Sequence, residues 1–365
     1  MKNSAIEVAI VGGGINSAVG RAHISALRMD GKFKITSACM SRNPTINTES
    51  QEQYGLNDSV FYDSVKQLAE NAEFDALVIL TPTPNHAVTI ELFSERKTRI
   101  ISEKSLAVSY EETEHVYTQI TKTSSELYVT LNYSGYPMIR ELRQKLINGE
   151  FGEVLELSIE MPQETFLRTS KIQEWRTRDY SIPTLCLDLS VHTYHLASFL
   201  LGQELVFLSG TNYSHRLIGA LVDRSYCQLE TSNQLTQVYL RTSKVALGNR
   251  NGLTVKLIGT QKSAIWIQEE PDRIHIASSD GTREIVDRGS PLELANETRY
   301  QRFKAGHPTG FVESLANLYH DISATIHSPG DENPFTTGIK EAISFSRRFD
   351  VQSQNWTLKN TKHSI

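Results

Sequence analysis

The densest chemistry in this 365-residue chain lies in three short segments. Gly12-Gly13-Gly14, with Ser17 three residues on, follows the apolar run Ile6–Val11. In a Gly-x-Gly-x-x-Ser turn of this kind, Gly12 permits a tight strand-to-helix reversal and Gly14 lets a pyrophosphate approach the backbone. A small residue at 17 keeps the helix close to the sheet. Ile15 and Asn16 complete the turn, and the helix that follows offers free N–H groups and a positive dipole end to phosphates. Glu103-Lys104 supplies a cation able to stabilise a developing alkoxide. Asp188 and His192 stand four apart, so on a helix they share one face, one turn apart, and a histidine is suited to exchanging protons near neutral pH. Oxidation of a secondary alcohol by a nicotinamide needs these parts: a base, a cationic donor and a hydride acceptor. Each segment also has a plainer alternative, namely a simple loop, an exposed ion pair, and an Asp188 that only caps a helix. An Asp-x-x-x-His pair can contribute two metal ligands, but no third ligand has compatible spacing, so no metal is expected. His195 falls one residue off the Asp188–His192 face.

Two further segments bear on a cofactor. An NAD-selective site usually ends its second strand with an acidic residue for the ribose hydroxyl. Here the strand ends Cys39-Met40-Ser41-Arg42 without a carboxylate. Ser41 can hydrogen-bond a phosphate and Arg42 can pair with it, which leans the choice towards NADP over NAD. An Arg42 that is only a solvated loop residue is the alternative. Thr81-Pro82-Thr83-Pro84-Asn85-His86 ends another apolar run, at the carboxyl edge where ligands sit in open α/β sheets, or else simply caps the helix after it.

The elements that must carry these residues alternate over the first part of the chain. Apolar runs at 6–11, 34–40, 76–80, 98–102 and 127–131 are separated by amphipathic stretches at 17–28, 46–54, 65–71, 85–95 and 110–123. Strand–helix alternation with short links implies parallel strands and a doubly wound Rossmann-type sheet. From about residue 150 the period becomes two: Leu155, Leu157, Ile159 and Met161 share one face of a strand, with Glu156, Ser158 and Glu160 on the other. Further runs of this kind at 205–208, 237–241, 253–258, 264–267 and 273–277 predict a mostly antiparallel open sheet. Phe311, Leu315, Leu318, Ile322 and Ile326 recur at helical spacing. The division expected is 1–132 for dinucleotide binding and 133–365 for an α+β domain that binds substrate and oligomerises.

Composition narrows the partners. Thirty-seven basic against forty-two acidic residues leave a formal charge of −5, too balanced to suggest a nucleic-acid or membrane-surface partner. Cys39, Cys186 and Cys227 are odd in number and far apart, which favours neither a disulfide framework nor zinc and suits a reducing, cytoplasmic location. An open sheet with an apolar face calls for a second copy, hence a homo-dimer or homo-tetramer.

The motifs resemble those of the glucose–fructose oxidoreductase / inositol dehydrogenase / MocA (Gfo/Idh/MocA) family over nearly the whole chain. They include the glycine turn with Gly20 and His23, Thr81-Pro82 with Asn85-His86, Glu103-Lys104, Asn132-Tyr133 with Tyr136-Pro137, Trp175-Arg176, Asp188-x-x-x-His192, and the tail from Gly306 to Tyr319. The resemblance implies that Lys104 hydrogen-bonds the reacting hydroxyl, that His192 takes its proton, and that Asp188 helps position the base or the substrate. It implies a sugar, nucleotide sugar or inositol as substrate, with Tyr133, Tyr136, Trp175 and Arg176 lining its pocket. The family's motif proline is Ser105 here, and the glycines that usually surround the Asp-x-x-x-His segment are missing. Those departures keep two rivals in view: an enzyme of the same fold that holds its cofactor for transient oxidation in a hydrolysis, elimination or epimerisation, and a non-catalytic NADP-binding sensor.

Overall fold

The computed structural model describes residues 4–168, 173–215, 219–330 and 333–360. The chain divides into two compact units, residues 1–135 with 311–344, and residues 136–310 with 345–365. The first unit therefore takes back a distant segment that a division at residue 132 leaves with the second.

In the first unit, β1 (Ile6–Gly12), α1 (Ala18–Met29), β2 (Phe33–Cys39), α2 (Pro44–Gln53), β3 (Val60–Phe61), α3 (Val65–Asn71), β4 (Ala76–Leu80), α4 (His86–Ser94), β5 (Arg99–Glu103), α5 (Tyr110–Thr123) and β6 (Glu126–Thr130) follow one another. Among the described residues, six strands form an all-parallel sheet in the order β3-β2-β1-β4-β5-β6. The order reverses between β1 and β4, so the glycine turn and the Thr81 turn flank the switch point where open α/β sheets bind ligands. β4 is buried at every position, as a strand covered on both faces should be.

In the second unit, α6 (Pro137–Ile147), β7 (Val154–Pro162), α7 (Val191–Leu201), β8 (Leu205–Ser214), β9 (Arg224–Thr231), β10 (Gln237–Ser243), β11 (Thr254–Gly259), β12 (Lys262–Ile267), β13 (Arg273–Ser278) and β14 (Arg283–Asp287) precede the returning helix α8 (Phe311–His327), then α9 (Ile339–Phe349) and β15 (Trp356–Asn360). Among the described residues, nine of these strands make one sheet, β14-β13-β12-β11-β7-β10-β9-β8-β15, antiparallel except at β10–β7 and β15–β8. α7 packs on β7 and β10. Leu157, Ile159 and Met161 are buried as their period requires, but Leu155 is 47% exposed. The β11 pairing steps from Glu156 to Val154 and skips Leu155, so an irregularity in the ladder turns it out of the core.

α8 belongs to the first unit. Leu315, Ala316, Tyr319, Ile322 and Ile326 join the core formed by Val8, Ile10, Leu27, Phe33 and Val78. Its first residue, Phe311, is exposed. Gly135 lies so close that a Cβ there would meet the Ser314 carbonyl oxygen at 2.1 Å, and Asn317 Nδ2 donates to the Gly135 carbonyl at 2.7 Å.

Candidate active site

The glycine turn is a cradle with no room for side chains. Gly12 and Gly13 have φ of +83° and +74°, values that glycine adopts without strain. A Cβ on Gly12 would meet the Leu80 carbonyl carbon and the Thr81 nitrogen at 2.8 Å, so the carboxyl ends of β1 and β4 touch there. A Cβ on Gly14 would lie 3.2 Å from the Met40 carbonyl oxygen and 3.3 Å from Ile46 and Ser50. The close helix–strand contact expected at Ser17 falls instead at Gly20, where a Cβ would be 2.2 Å from the Gly13 carbonyl oxygen. Ser17 is the N-cap of α1 and its hydroxyl accepts from the Gly20 N–H at 3.0 Å. Three neighbours hold the turn from outside. The Ile15 N–H donates to Ser50 Oγ (2.9 Å), the Arg21 guanidinium donates twice to the Ile15 carbonyl, and Tyr54 donates to the Gly13 carbonyl. Ile15 is itself buried, so it anchors the turn, whereas Asn16 is exposed. This arrangement fits a dinucleotide: a backbone that a pyrophosphate can approach, backed by the N-terminus of a twelve-residue helix. At the end of β2, Ser41 Oγ accepts from the Asn43 N–H (3.1 Å) and Arg42 is exposed.

The Thr81 and Lys104 turns are tied to each other. His86 is wholly buried, with Nδ1 2.8 Å from the Ser105 carbonyl oxygen and Nε2 2.6 Å from that of Thr81. Burial holds its pKa below the ordinary histidine value, against the opposite pull of the two carbonyls and Glu103. The neutral ring donates to one of the two carbonyls and is spent on the link between the turns. Thr83 is buried and Asn85 accepts from the Thr89 hydroxyl through its carbonyl, which starts α4. The Lys104–Ser105 peptide is cis. Lys104 is half-buried. The Glu103 carboxylate turns to the interior, where Oε1 lies 3.0 Å from His23 Nε2 and accepts from Thr130 at 2.8 Å. Burial alone would raise Glu103, but the His23 hydrogen bond and charge, the Lys104 charge and the Thr130 hydroxyl outweigh it and hold the carboxyl below its usual range. His23 Nδ1 is 2.7 Å from the Tyr319 hydroxyl. Burial raises the pKa of that phenol well above its ordinary value, with the Glu103 charge adding to the rise.

In the second unit Asp188 sits in a π-helical turn, Cys186–Ser190, that runs directly into α7 and His192. The wider π turn is a recurrent device at functional sites. Its Ser190 hydroxyl bonds Thr242 of β10 at 2.9 Å, which pins the turn to the sheet. Asp188 Oδ1 accepts from Arg176 at 3.1 Å and Oδ2 from Lys244 at 2.6 Å. Arg176 and Trp175 both donate to Gln173 Oε1, and the Arg176 guanidinium lies 4.7 Å above the Trp175 ring. Trp175 is half-buried and His192 is 5% exposed. Burial pushes His195 down to about 4 and its ring packs near Phe199, which makes it a neutral core group. Tyr136 is 1% exposed with its ring packed on Trp266, so its bulk is spent on the core. Tyr133, also buried, lies in the Asn132–Gly135 turn that α8 holds. Among the described residues, no group of three His, Cys, Asp or Glu side chains is placed to hold a metal ion, and no helix is long and apolar enough to cross a membrane.

Residues 6–131 match the model of an oxidoreductase family with an NAD-binding Rossmann fold, and residues 143–343 match that family's C-terminal alpha/beta domain. The chain belongs to the Gfo/Idh/MocA family. The protein is thus an NAD(P)-dependent oxidoreductase, with the family's NAD-binding fold matched over residues 6–131. It is 24% identical over 349 residues to an uncharacterized oxidoreductase, YfiI, of Bacillus subtilis, covering 89% of this chain and 86% of that one. It is 26% identical over 251 residues to inositol 2-dehydrogenase of Rhizobium meliloti, covering 67% and 71%. An inositol dehydrogenase homologue from Azotobacter vinelandii, solved with NADH and myo-inositol, shares the fold with a TM-score of 0.86 at 22% identity, covering 96% of this chain and 95% of that one.

Sequence reasoning missed Gly20 as the close-contact glycine, and it missed Ser50, Tyr54 and Lys244. For Lys244 a signal existed: Val238, Leu240, Thr242 and Lys244 share one parity along β10 and its end, and all four are buried. A lysine at inward parity has to find a partner.

Proposed function

We propose that this family member transfers a hydride between NAD(P) and a secondary hydroxyl or ketone of a sugar, nucleotide sugar or inositol-like substrate. The observation that carries the reading is the Asp188–His192 arrangement, a carboxylate in a π turn one helical turn before a buried histidine, with Arg176 and Trp175 beside it. A guanidinium over an indole offers hydrogen-bond donors next to an apolar face, which suits a polyol ring. In this reading Lys104 donates to the substrate oxygen, His192 takes the hydroxyl proton, Trp175 and Arg176 contact the substrate, and Tyr133 shapes the wall from behind. The nicotinamide supplies the hydride acceptor. The glycine turn, Ser41, Arg42 and the Thr81–His86 segment hold the dinucleotide, and the lack of a carboxylate after β2 favours NADP. Relatives named inositol 2-dehydrogenase, scyllo-inositol 2-dehydrogenase (NAD(+)) and levoglucosan dehydrogenase support the substrate class.

A cross-strand row on the second unit's sheet, Tyr239-Ser158-Lys256-Ile265-His275-Ile285, leaves Tyr239, Ile265 and Ile285 more than a third exposed. We assign this face to a second copy of the chain, as a homo-dimer or tetramer, which light scattering tests directly. All three cysteines are free and buried, which suits the cytoplasm.

Purified protein assayed for NADP⁺ and NAD⁺ reduction against a panel of inositols, sugars and nucleotide sugars tests the function. Lys104→Ala and His192→Ala should each lose about a thousandfold in kcat with NAD(P)H binding intact. Binding without turnover would favour a tightly held cofactor or a sensor, and failure to bind either dinucleotide would sink the reading.

A further inference from the structure

We propose that Lys244 determines what Asp188 does. Together with Arg176 it holds the Asp188 carboxylate ionised and fixed, so that His192 alone exchanges the proton with substrate. The catalytic half of this statement rests on the function proposed above, whereas the carboxylate clamp does not.

Three observations carry the clamp. The Lys244 side chain is 2% exposed, and an ammonium so buried requires a partner. That partner is Asp188 Oδ2 at 2.6 Å, a short charge-assisted contact, with Arg176 on Oδ1 at 3.1 Å, so each carboxylate oxygen meets its own cation. Both cations are themselves braced. Lys244 lies over the Phe166 ring, its backbone N–H donates to the Asp223 carbonyl, and its carbonyl accepts from the Phe166 N–H. Arg176 is fixed by Gln173 and by the Trp175 ring. The same strand end holds both partners, because Thr242, two residues before Lys244, bonds the hydroxyl of Ser190 in the Asp188 turn.

The groups facing Asp188 decide its proton affinity. Arg176 comes from the 174–177 turn and Lys244 from the end of β10, and the Lys244 charge also acts on Asp179; His192 follows one helical turn later. A carboxylate with a cation on each oxygen is a poor proton acceptor. Asp188 therefore contributes charge and orientation, and Lys244 is a positioning residue that acts through it.

The test uses full-length protein labelled at the aspartate ¹³Cγ, with Asp188→Asn assigning the signal. The wild-type Asp188 resonance should stay at its ionised position down to the acid edge of the folded range. In Lys244→Met its midpoint should move up, and Lys244→Arg should restore it. In the kinetic arm, Lys244→Met should lower kcat by about tenfold to a hundredfold with the KM for NAD(P) unchanged. If Lys244→Met unfolds, the charge-free pair Lys244→Met/Asp188→Asn should recover folding, since it removes the stranded carboxylate as well. An Asp188 midpoint unmoved by Lys244→Met, or a double variant no more stable than the single ones, overturns the clamp. A shifted midpoint in a protein that turns over no polyol supports the clamp and refutes the function proposed above.

Discussion

Each unit fixes a carboxylate beside a side chain proposed to act on substrate, and the two do so with different materials. Glu103 takes its hydrogen bonds from the His23 ring and the Thr130 hydroxyl, with Tyr319 of α8 on the other ring nitrogen of His23, and the Lys104 charge only adds to them. Asp188 is held by two cations, one of them buried. In the first unit Glu103 and Lys104 are sequence neighbours on a strand end, and precision comes from backbones packed without intervening side chains. In the second, the ion pair joins residues 56 apart in sequence, and precision comes from charge. The first arrangement should respond to added volume and to lost hydrogen bonds, and the second to pH and charge removal.

The sharpest test of the first half of that contrast is Gly20→Ala. Its Cβ would stand 2.2 Å from a backbone oxygen, which cannot rotate away as a flexible side chain would. Overpacking of this kind costs about 3 kcal/mol, and urea unfolding should show it together with weakened NAD(P)H binding in a fluorescence titration. Unchanged stability and affinity would mean that close backbone approach is not what shapes the first site.

An effect of similar size but opposite origin should come from His195 in the second unit. Its folded pKa, about 4, lies below the ordinary value of about 6.5 because burial disfavours the charged ring. A lowered pKa means that the unfolded chain binds the proton more readily. This contribution to stability is complete above about pH 6.5 and drains away as pH falls towards 4, about 3 kcal/mol in all. Urea midpoints at several pH values should show that loss in the wild type and lack it in His195→Gln. Equal pH slopes would refute it.

The smallest effect belongs to the Glu103–His23–Tyr319 network. Tyr319→Phe leaves His23 Nδ1 without its buried hydrogen-bond partner and should cost about 1–2 kcal/mol by chemical denaturation. Because no charge is removed, the cost should be nearly independent of salt. A strongly salt-dependent cost would show that the Tyr319 hydroxyl acts through the charges around Glu103 and not through its hydrogen bond.

The sequence made the first unit legible where apolar runs were continuous. β1, β4 and β5 are buried strands and read directly, but β3 is two residues long and has no period to read. In the second unit β9 escaped notice because its inward face is Ser225, Cys227, Leu229 and Thr231, which is buried yet only half apolar. At the site, the spacing of Asp188 and His192 was visible, but the π turn beneath them was not, since nothing in the residue pattern marks a five-residue turn. Ser17 was read as the packing residue because it occupies the motif's small position, whereas the contact belongs to Gly20, which packs against Gly13 of the turn after β1. Lys244 shows the general limit. A partner brought in by sheet topology can be suspected from its inward parity, but its identity depends on a fold not yet known.

The measurement that bears most directly on the central claim is a double-substitution cycle on hydride transfer. Single-turnover rates would be compared for the wild type, Lys104→Ala, His192→Ala and the pair, on the best substrate of the polyol panel. If both groups serve one hydroxyl, the account predicts that the double variant loses no more than the worse single variant, because groups that act as a unit are strongly non-additive. Losses that multiply, or a rate untouched by either substitution, would contradict it.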